Sequence, residues 1–534
     1  MRSPRTFSAH VQEPMRFGLT LFLYFNQLPI YHVIVTGSHY FTYHDSMHWH
    51  AQKGARRMAQ GILAVGAIYA LDEYRWYRVI RRSMRAGGVG LFTIVNYKFL
   101  WSPETSHEVN ARVARAISNV CLENEGLYVK IGQAINSMAA ILPREYTEHL
   151  SKLLDKAKTY DYTVIEEIIN RELGPGIVVD IDPVPVGSAS LAQVHKGILV
   201  ASGQPVAVKV QKPNVSMQAY WDLWMYRLIV RLLEYSFDIP LYWSVGFTTA
   251  HFIAELDFRK EASNSEISRE QLSELGDLVY VPKVLAATEH VLLTEWVDDA
   301  IMISDVKRLR ARGYDCKKII MDATQVFGHQ IFKTGHVHCD PHFGNLLIRR
   351  HPSKPSTHQV VLIDHGLYVD LPDKLRREYA RLWVAMAPPQ DRTTVEDVCS
   401  EWGIGSPELF QSIIRQGNQK NKDVDLLDIE SIPRKHTAEA GALIKTKLKE
   451  MLQDTSKFPK ELILIGRCMN YIRAANWTHG SPIDRIAVLA DFARKATDEE
   501  RPRSGTKGWL IALGNFILKR TPTKSSYNKE IESI

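Results

Sequence analysis

Four side chains able to bind a metal ion or move a proton, His338, Asp340, His342 and Asn345, fall within the run HVHCDPHFGN at residues 336–345. A His-x-Asp with Asn five places after the Asp is the spacing of a phosphoryl-transfer catalytic loop. There the carboxylate takes up a hydroxyl proton and the amide oxygen binds Mg²⁺. The competing chemistry is a metal-dependent hydrolase built on His338 and His342, but Pro341 between them opposes the regular helix that would align their rings. Farther on, VVLIDHGLY places Asp364 after an apolar strand and before His365 and Gly366. This is an Asp-Phe-Gly element with His for Phe, and an oxygen ligand at that point suits Mg²⁺.

Upstream, PVAVKVQKP alternates valines with Lys209, which sets the ammonium on one defined face of a strand. Alone, such a lysine reads as a solubility device on a sheet edge. It is preceded by GSASLAQV, which fits the glycine-loop template G-x-G-x-x-G-x-V with Gly187, Ala189, Ala192 and Val194. Each alanine adds a Cβ and narrows the backbone, so the loop is a stiffened phosphate cover. Its residues Gly187, Ser188, Ala189 and Ser190 are expected against the nucleotide together with Lys209, and Glu295 and Val297 at the end of HVLLTEWV join them. Lys, His-x-Asp, Asn and Asp-x-Gly in this order point jointly to ATP or ADP with Mg²⁺.

The elements that must hold these groups follow from pattern. From about residue 106 apolar side chains repeat at three and four, as helices do, until GPG at 174–176 stops them. Short β-rich runs begin at Ile177, a helical insert covers about 213 to 270, and helices dominate from 301 to 500, with NLLIRR and QVVLID as strands and HPSKPSTH as the loop between them. This is an α+β chain with two lobes. The expected divisions are 1–105 (targeting and membrane-associated), 106–165 (helical extension), 166–300 (first lobe), 301–500 (second lobe) and 501–534 (tail).

At 534 residues the chain exceeds one ordinary core. Five scattered cysteines without C-x-x-C spacing argue against a disulfide framework or structural zinc. The net charge of +7 comes without a basic block interleaved with aromatics, so nucleic acid is not an expected partner. The first sixteen residues carry three arginines and one acid, a transit-peptide bias. The run 17–36 is broken by Asn26, Gln27, Pro29 and His32, whereas MAQGILAVGAIYAL at 58–71, flanked by arginines and aromatics, is expected as a membrane-associated helix, spanning or interfacial.

Two further motifs narrow the match. LYVKIGQAI carries Lys-x-Gly-Gln (Lys130, Gly132, Gln133), and AELDFRKEASN carries Glu-x-Asp (Glu255, Asp257) with Glu261 and Asn264 behind it. With SASLAQVH and HCDPHFGN, these resemble the UbiB (aarF-like) family of atypical kinase-like proteins, and among them the mitochondrial Mcp2-like subgroup. The resemblance covers residues 106 to 500. It implies a protein-kinase-like two-lobed fold with a helical N-terminal extension over the active site, where Lys130 and Gln133 point into the pocket and serve regulation with Glu255 and Asp257. It implies that Lys130 pairs with Glu255 and Lys209 with Glu261, that Asp340 is the catalytic carboxylate, and that Asn345 and Asp364 hold Mg²⁺. It also implies a mitochondrial, inner-membrane setting, a role in coenzyme Q or membrane-lipid homeostasis, a lipid or isoprenoid partner, and room for a homodimer.

Departures from protein kinases bear on the acceptor. Cys339 replaces the arginine of His-Arg-Asp, and LYVDLPDKL enters helix directly after Gly366 without Ala-Pro-Glu. Little segment remains to dock a peptide, which leaves a small or lipidic acceptor, or ATP hydrolysis. The alternative is a non-catalytic nucleotide-dependent sensor or lipid-binding pseudokinase.

Overall fold

The computed structural model describes residues 44–74, 76–137, 142–153, 158–415, 446 and 454–499. Contacts divide the chain into a unit up to Arg75 and a unit from Trp76 onward. In the first, α1 (His44–Tyr74) is one helix, and every side chain from Arg56 to Leu71 is exposed, Ile62, Leu63 and Val65 included. No helix among the described residues is long and apolar enough to cross a membrane. The arginine-rich start, the run 17–36 and the tail 501–534 lie outside the described residues.

The second unit opens with α2 (Val79–Val95), α3 (Ser106–Asn124), α4 (Leu127–Ser137) and α5 (Arg144–Leu150). On α3, Val109, Val113, Ala114 and Cys121 recur at helical spacing, forming a stripe that packs with Tyr128, Val129, Leu150 and Leu153 into a small core of its own. Gly132 sets how closely α4 can lie. A Cβ there would come within 2.9 Å of Cys121 Sγ and would also overlap Leu153. Lys130 sits two residues earlier on the same helix, so this packing fixes its position.

The first lobe comprises α6 (Tyr162–Leu173), β1 (Val178–Val179), β2 (Gly187–Ser188), β3 (Ala192–Leu199), β4 (Gln204–Gln211), α7 (Val215–Phe237), α8 (Val245–Ala254), α9 (Phe258–Leu272), β5 (Val279–Tyr280), β6 (Val284–Ala287) and β7 (Val291–Glu295). Its sheet runs β1-β3-β4-β7-β6, with β2 beside β3. Val206, Val208 and Val210 of β4 are fully buried against Ile165, Ile168 and Ile169 of α6. The two-residue period of a strand therefore turns Lys209 to the opposite face, toward α9. The helical insert resolves into α7, α8 and α9.

The second lobe contains β8 (Ile301–Met302), α10 (Val306–Ala311), α11 (Cys316–His329), β9 (His336–His338), β10 (Leu346–His351), β11 (Lys354–Leu362), β12 (Tyr368–Asp370), α12 (Asp373–Met386), α13 (Arg392–Glu401), α14 (Pro407–Arg415), α15 (Glu461–Thr478) and α16 (Arg485–Glu499). One sheet runs β5-β11-β10-β8, and β9 pairs with β12. The stretch HPSKPSTH differs from expectation. Arg350 pairs with His358 and His351 with Lys354, so the loop shrinks to Pro352 and Ser353 and β11 begins inside it. Exposed polar residues there are carried into the ladder by the hairpin's own hydrogen bonds. The main core, including Phe327, Phe332, Trp383 and Ile465, lies under this lobe. The protein has the expected α+β, two-lobed fold with a helical N-terminal extension.

Gly132→Ala should destabilise the second unit by about 1–3 kcal/mol through overpacking against Cys121 and Leu153. Thermal unfolding of the purified chain measures this, and an unchanged midpoint contradicts the packing account.

Candidate active site

Lys209 is half-buried at the middle of β4, and its ammonium lies 2.6 Å from Glu261 Oε1 and 2.7 Å from Asp364 Oδ1, with the Phe258 ring 5.3 Å away. Glu261 reaches it from the first turns of α9. That helix starts where Asp257 caps it, its Oδ1 accepting from Arg259 N at 3.0 Å. Asp257 also binds the Arg259 guanidinium, so its role in the structure is to begin the helix that carries Glu261. Asp364 follows β11 with φ of 60°, a left-handed backbone that is uncommon outside glycine. Two residues on, a Cβ at Gly366 would press on Asp364 Oδ1 at 3.4 Å. The segment after Asp364 is fastened to α9: Asn264 Nδ2 donates to the His365 carbonyl at 3.0 Å. His365 Nδ1 lies 2.8 Å from the Tyr368 hydroxyl, which donates to Ser268 at 3.1 Å.

A second cluster surrounds Asp340. Its Oδ2 accepts from Lys130 Nζ at 3.2 Å, and the same ammonium lies 2.8 Å from Glu255 Oε2. Its Oδ1 accepts from Arg467 Nη2 at 2.7 Å. Arg467, on α15, was not found by reasoning from the sequence. It lies 127 residues beyond Asp340, and the only signal was a cation within the apolar run ELILIGRCMNYI. Gln133, three residues after Lys130, donates to the Leu153 carbonyl at 3.0 Å, which ties α4 to the segment after α5.

The histidines of the opening motif shape the loop. His338 Nδ1 accepts from Asp340 N and His342 Nδ1 from Gly344 N, each at 3.1 Å. Burial holds the His338 imidazole down at about 4, so it is neutral. Among the described residues no cluster of three or more His, Cys, Asp or Glu side chains could hold a metal ion. Asn345 Nδ2 donates to the Asp340 carbonyl at 2.9 Å, so its amide oxygen is the end that could bind a metal ion. Two oxygen donors, Asn345 and Asp364, match the sparse protein ligation of Mg²⁺, which completes its shell with phosphates and water.

The glycine-loop positions form a closed turn. Gly187 and Ser188 are β2, Ser188 Oγ donates to the Lys158 carbonyl at 3.0 Å, and Ala189 N donates to the Ala192 carbonyl at 2.8 Å. Lys212 Nζ reaches the Ala189 carbonyl at 2.5 Å, and burial lowers this ammonium to about 8. Ser190 Oγ is buried without a partner. Glu295 ends β7 three register positions from Leu292, the residue opposite Lys209. Its carboxylate accepts from the Tyr280 hydroxyl and from Lys283 N, and Val297, half-buried, follows.

Electrostatics separate the carboxylates. Burial alone would raise all of them, but Arg467 and Lys130 hold Asp340 far below the usual range, and Lys209 with Lys130 does the same to Asp364. Burial pushes Glu261 up to about 7, with Lys209 opposing and Asp364 adding to the rise. Burial disfavours the charged lysines, yet Glu255 and Asp340 hold the Lys130 proton, and Asp364 and Glu261 hold that of Lys209. Three cations face four carboxylates, and Glu255 Oε1 is buried without a partner.

Arg467→Met should cost about 3 kcal/mol, because it strands a buried Asp340 charge that Lys130 only partly meets. Adding Asp340→Asn should recover part of that loss, and a double-mutant cycle by chemical unfolding measures the coupling; strict additivity contradicts the pair.

Residues 152–398 match the family described as the ABC1 atypical kinase-like domain. An ABC1 family protein of Schizosaccharomyces pombe is 33% identical over 462 residues, covering 83% of this chain and 85% of its own. The ABC1 family protein MCP2 homolog of the same organism is 34% identical over 64% of this chain and 65% of its own. AarF domain-containing protein kinase 1 of Gallus gallus is 29% identical over 71% and 72%. With this similarity spanning most of the chain, and with the motifs gathered as described, the protein belongs to the ABC1 (UbiB, aarF-like) family of atypical kinase-like proteins.

Proposed function

We propose that this chain is an ATP- and Mg²⁺-dependent phosphoryl-transfer enzyme acting on a small or lipidic acceptor, with water as the acceptor if it works as an ATPase. The observation that carries the reading is Lys209, whose ammonium joins Glu261 of the first lobe to Asp364 of the second. In this reading Lys209 binds the phosphates, with Gly187, Ser188, Ala189 and Ser190 covering them and Glu295 and Val297 beside the base. Asn345 and Asp364 would hold Mg²⁺, which when bound neutralises charge on the phosphates. The acceptor oxygen forms a bond to the γ-phosphorus as the bond from that phosphorus to the ADP oxygen breaks, and the acceptor proton passes to Asp340.

The extension over residues 106–165 sets when this happens, because Lys130 sits on the carboxylate that must accept the proton. Its ammonium has to leave Asp340 before Asp340 can act as a base, and Glu255 offers it an alternative seat. The same clamp favours the second reading, a nucleotide sensor without turnover, since a carboxylate held by Arg467 and Lys130 is a weak base. The arginine-rich, acid-poor start supports a mitochondrial address, and the exposed apolar α1 supports work at a membrane, which we assign to the inner membrane and to coenzyme Q or membrane-lipid homeostasis. A homodimer is compatible with this scheme.

The test is ATP turnover by the full chain with Mg²⁺ and lipid vesicles. Asp340→Asn should lower it by about 10²–10⁴-fold, the usual contribution of a positioned base. Equal turnover in wild type and Asp340→Asn contradicts the chemical role. Nucleotide binding with no turnover in wild type selects the sensor.

A further inference from the structure

Between the N-terminal helices and the second lobe lies a cavity of about 690 Å³. Val89 of α2, Ile135 of α4, Ile229 and Leu233 of α7, Phe458 just before α15 and Met469 of α15 are on its walls, and the rest of the lining is mostly aliphatic or aromatic. Protein interiors close such spaces, because side chains facing a void lose their dispersion partners. A partly open space of this size among apolar walls is the size of a ligand site rather than a packing defect.

Two observations say what fits there. The first is where the cavity leads. Arg467 is on its lining, and the same guanidinium holds Asp340 Oδ1 at 2.7 Å while its Nε is buried without a partner. An apolar body in the cavity thus reaches the group that positions the proposed catalytic carboxylate, and Arg473 and Arg485 also line the space. The second is the wall itself. The two helices that line it from outside, α2 and α7, are apolar on both faces. Beyond the inward residues, α7 exposes Tyr220, Trp221, Trp224, Leu228, Leu232 and Tyr235, and α2 exposes Met84 and Leu91. Exposed apolar stripes of this kind mark contact surfaces, and Trp with Tyr suits the level where lipid meets water. Arg227 and Arg231 follow on the same helix, one guanidinium donating to Thr249 Oγ1 at 3.3 Å and the other lying over the Tyr242 ring.

We propose that this cavity binds the hydrocarbon chain of a single-chain lipid, isoprenoid or acyl, taken from a bilayer against which the outer faces of α2 and α7 lie, with its polar end toward Arg467. The assignment rests on the reading of the acceptor as lipidic and gives that acceptor a place. The chain would displace the void, and its end would sit against the guanidinium that orients Asp340.

The experiment uses the full chain in vesicles and two photoreactive probes, diazirine-bearing farnesol and diazirine-bearing palmitate, with labelled peptides mapped by mass spectrometry. Labelling should concentrate on the cavity-facing residues of α2, α7 and α15, and excess unlabelled farnesol or palmitate should suppress it. The probe that is competed identifies the chain class. Val89→Trp and Val230→Trp, which fill the cavity from two different helices, should each lower labelling about tenfold or more, equivalent to about 1.4 kcal/mol of binding. Labelling that competition does not suppress, that persists in both folded variants, or that falls only on the outward residues of α7 overturns the proposal. Specific labelling in a protein that turns over no ATP keeps the cavity assignment and removes the phosphoryl-transfer reading; turnover without labelling does the reverse.

Discussion

A half-buried ammonium in contact with two carboxylates from different lobes is the interaction on which the rest of the structure depends. Lys209 belongs to a strand of the first lobe, Glu261 to the helix packed on it, and Asp364 to the turn that leaves the second lobe's sheet. Each of these charges would cost several kcal/mol to bury alone, and the set is tolerable only because the groups meet. Closely packed hydrophobic residues would hold the lobes together as well or better. A cluster with this much desolvated charge is therefore better explained by what it binds than by what it stabilises.

The second cluster has a different logic. Asp340 is met from two sides by cations that the surrounding helices fix: Lys130 on α4 and Arg467 on α15. Arg467 is buried and held by the core of its lobe, whereas Lys130 is shared between Asp340 and Glu255. One cation positions the carboxylate and the other can be exchanged. In the proposed scheme that asymmetry would let the N-terminal helices govern the site without contributing to its chemistry, and Gly132 lets α4 pack closely against Cys121 and Leu153.

The sequence was most legible where a local pattern dictated geometry. Alternating valines placed Lys209 on a strand face, an apolar run ending in Asp364 gave a strand and its terminus, and Pro341 argued correctly against a helix through the histidines. It was less legible where partners are distant. Arg467 carries no motif and its pairing with Asp340 is a product of tertiary packing. Gln133 shares a helix face with Lys130 by spacing, yet its amide is bound to a backbone carbonyl that no periodicity reveals. Asp257 stood out as half of a paired-acid motif, whereas its observed contacts are those of a helix cap. The HPSKPSTH segment looked like a loop because its residues are polar, and became strand because hairpin register, not propensity, decides pairing at a sheet edge.

Titration calorimetry of ATP into the full chain, with and without Mg²⁺, tests the central claim most directly. The account requires binding that strengthens with Mg²⁺ in the wild type and is lost or weakened about tenfold or more in Lys209→Met, in keeping with removal of a charge-assisted contact. Absence of nucleotide binding, or binding indifferent to both Mg²⁺ and Lys209, contradicts it.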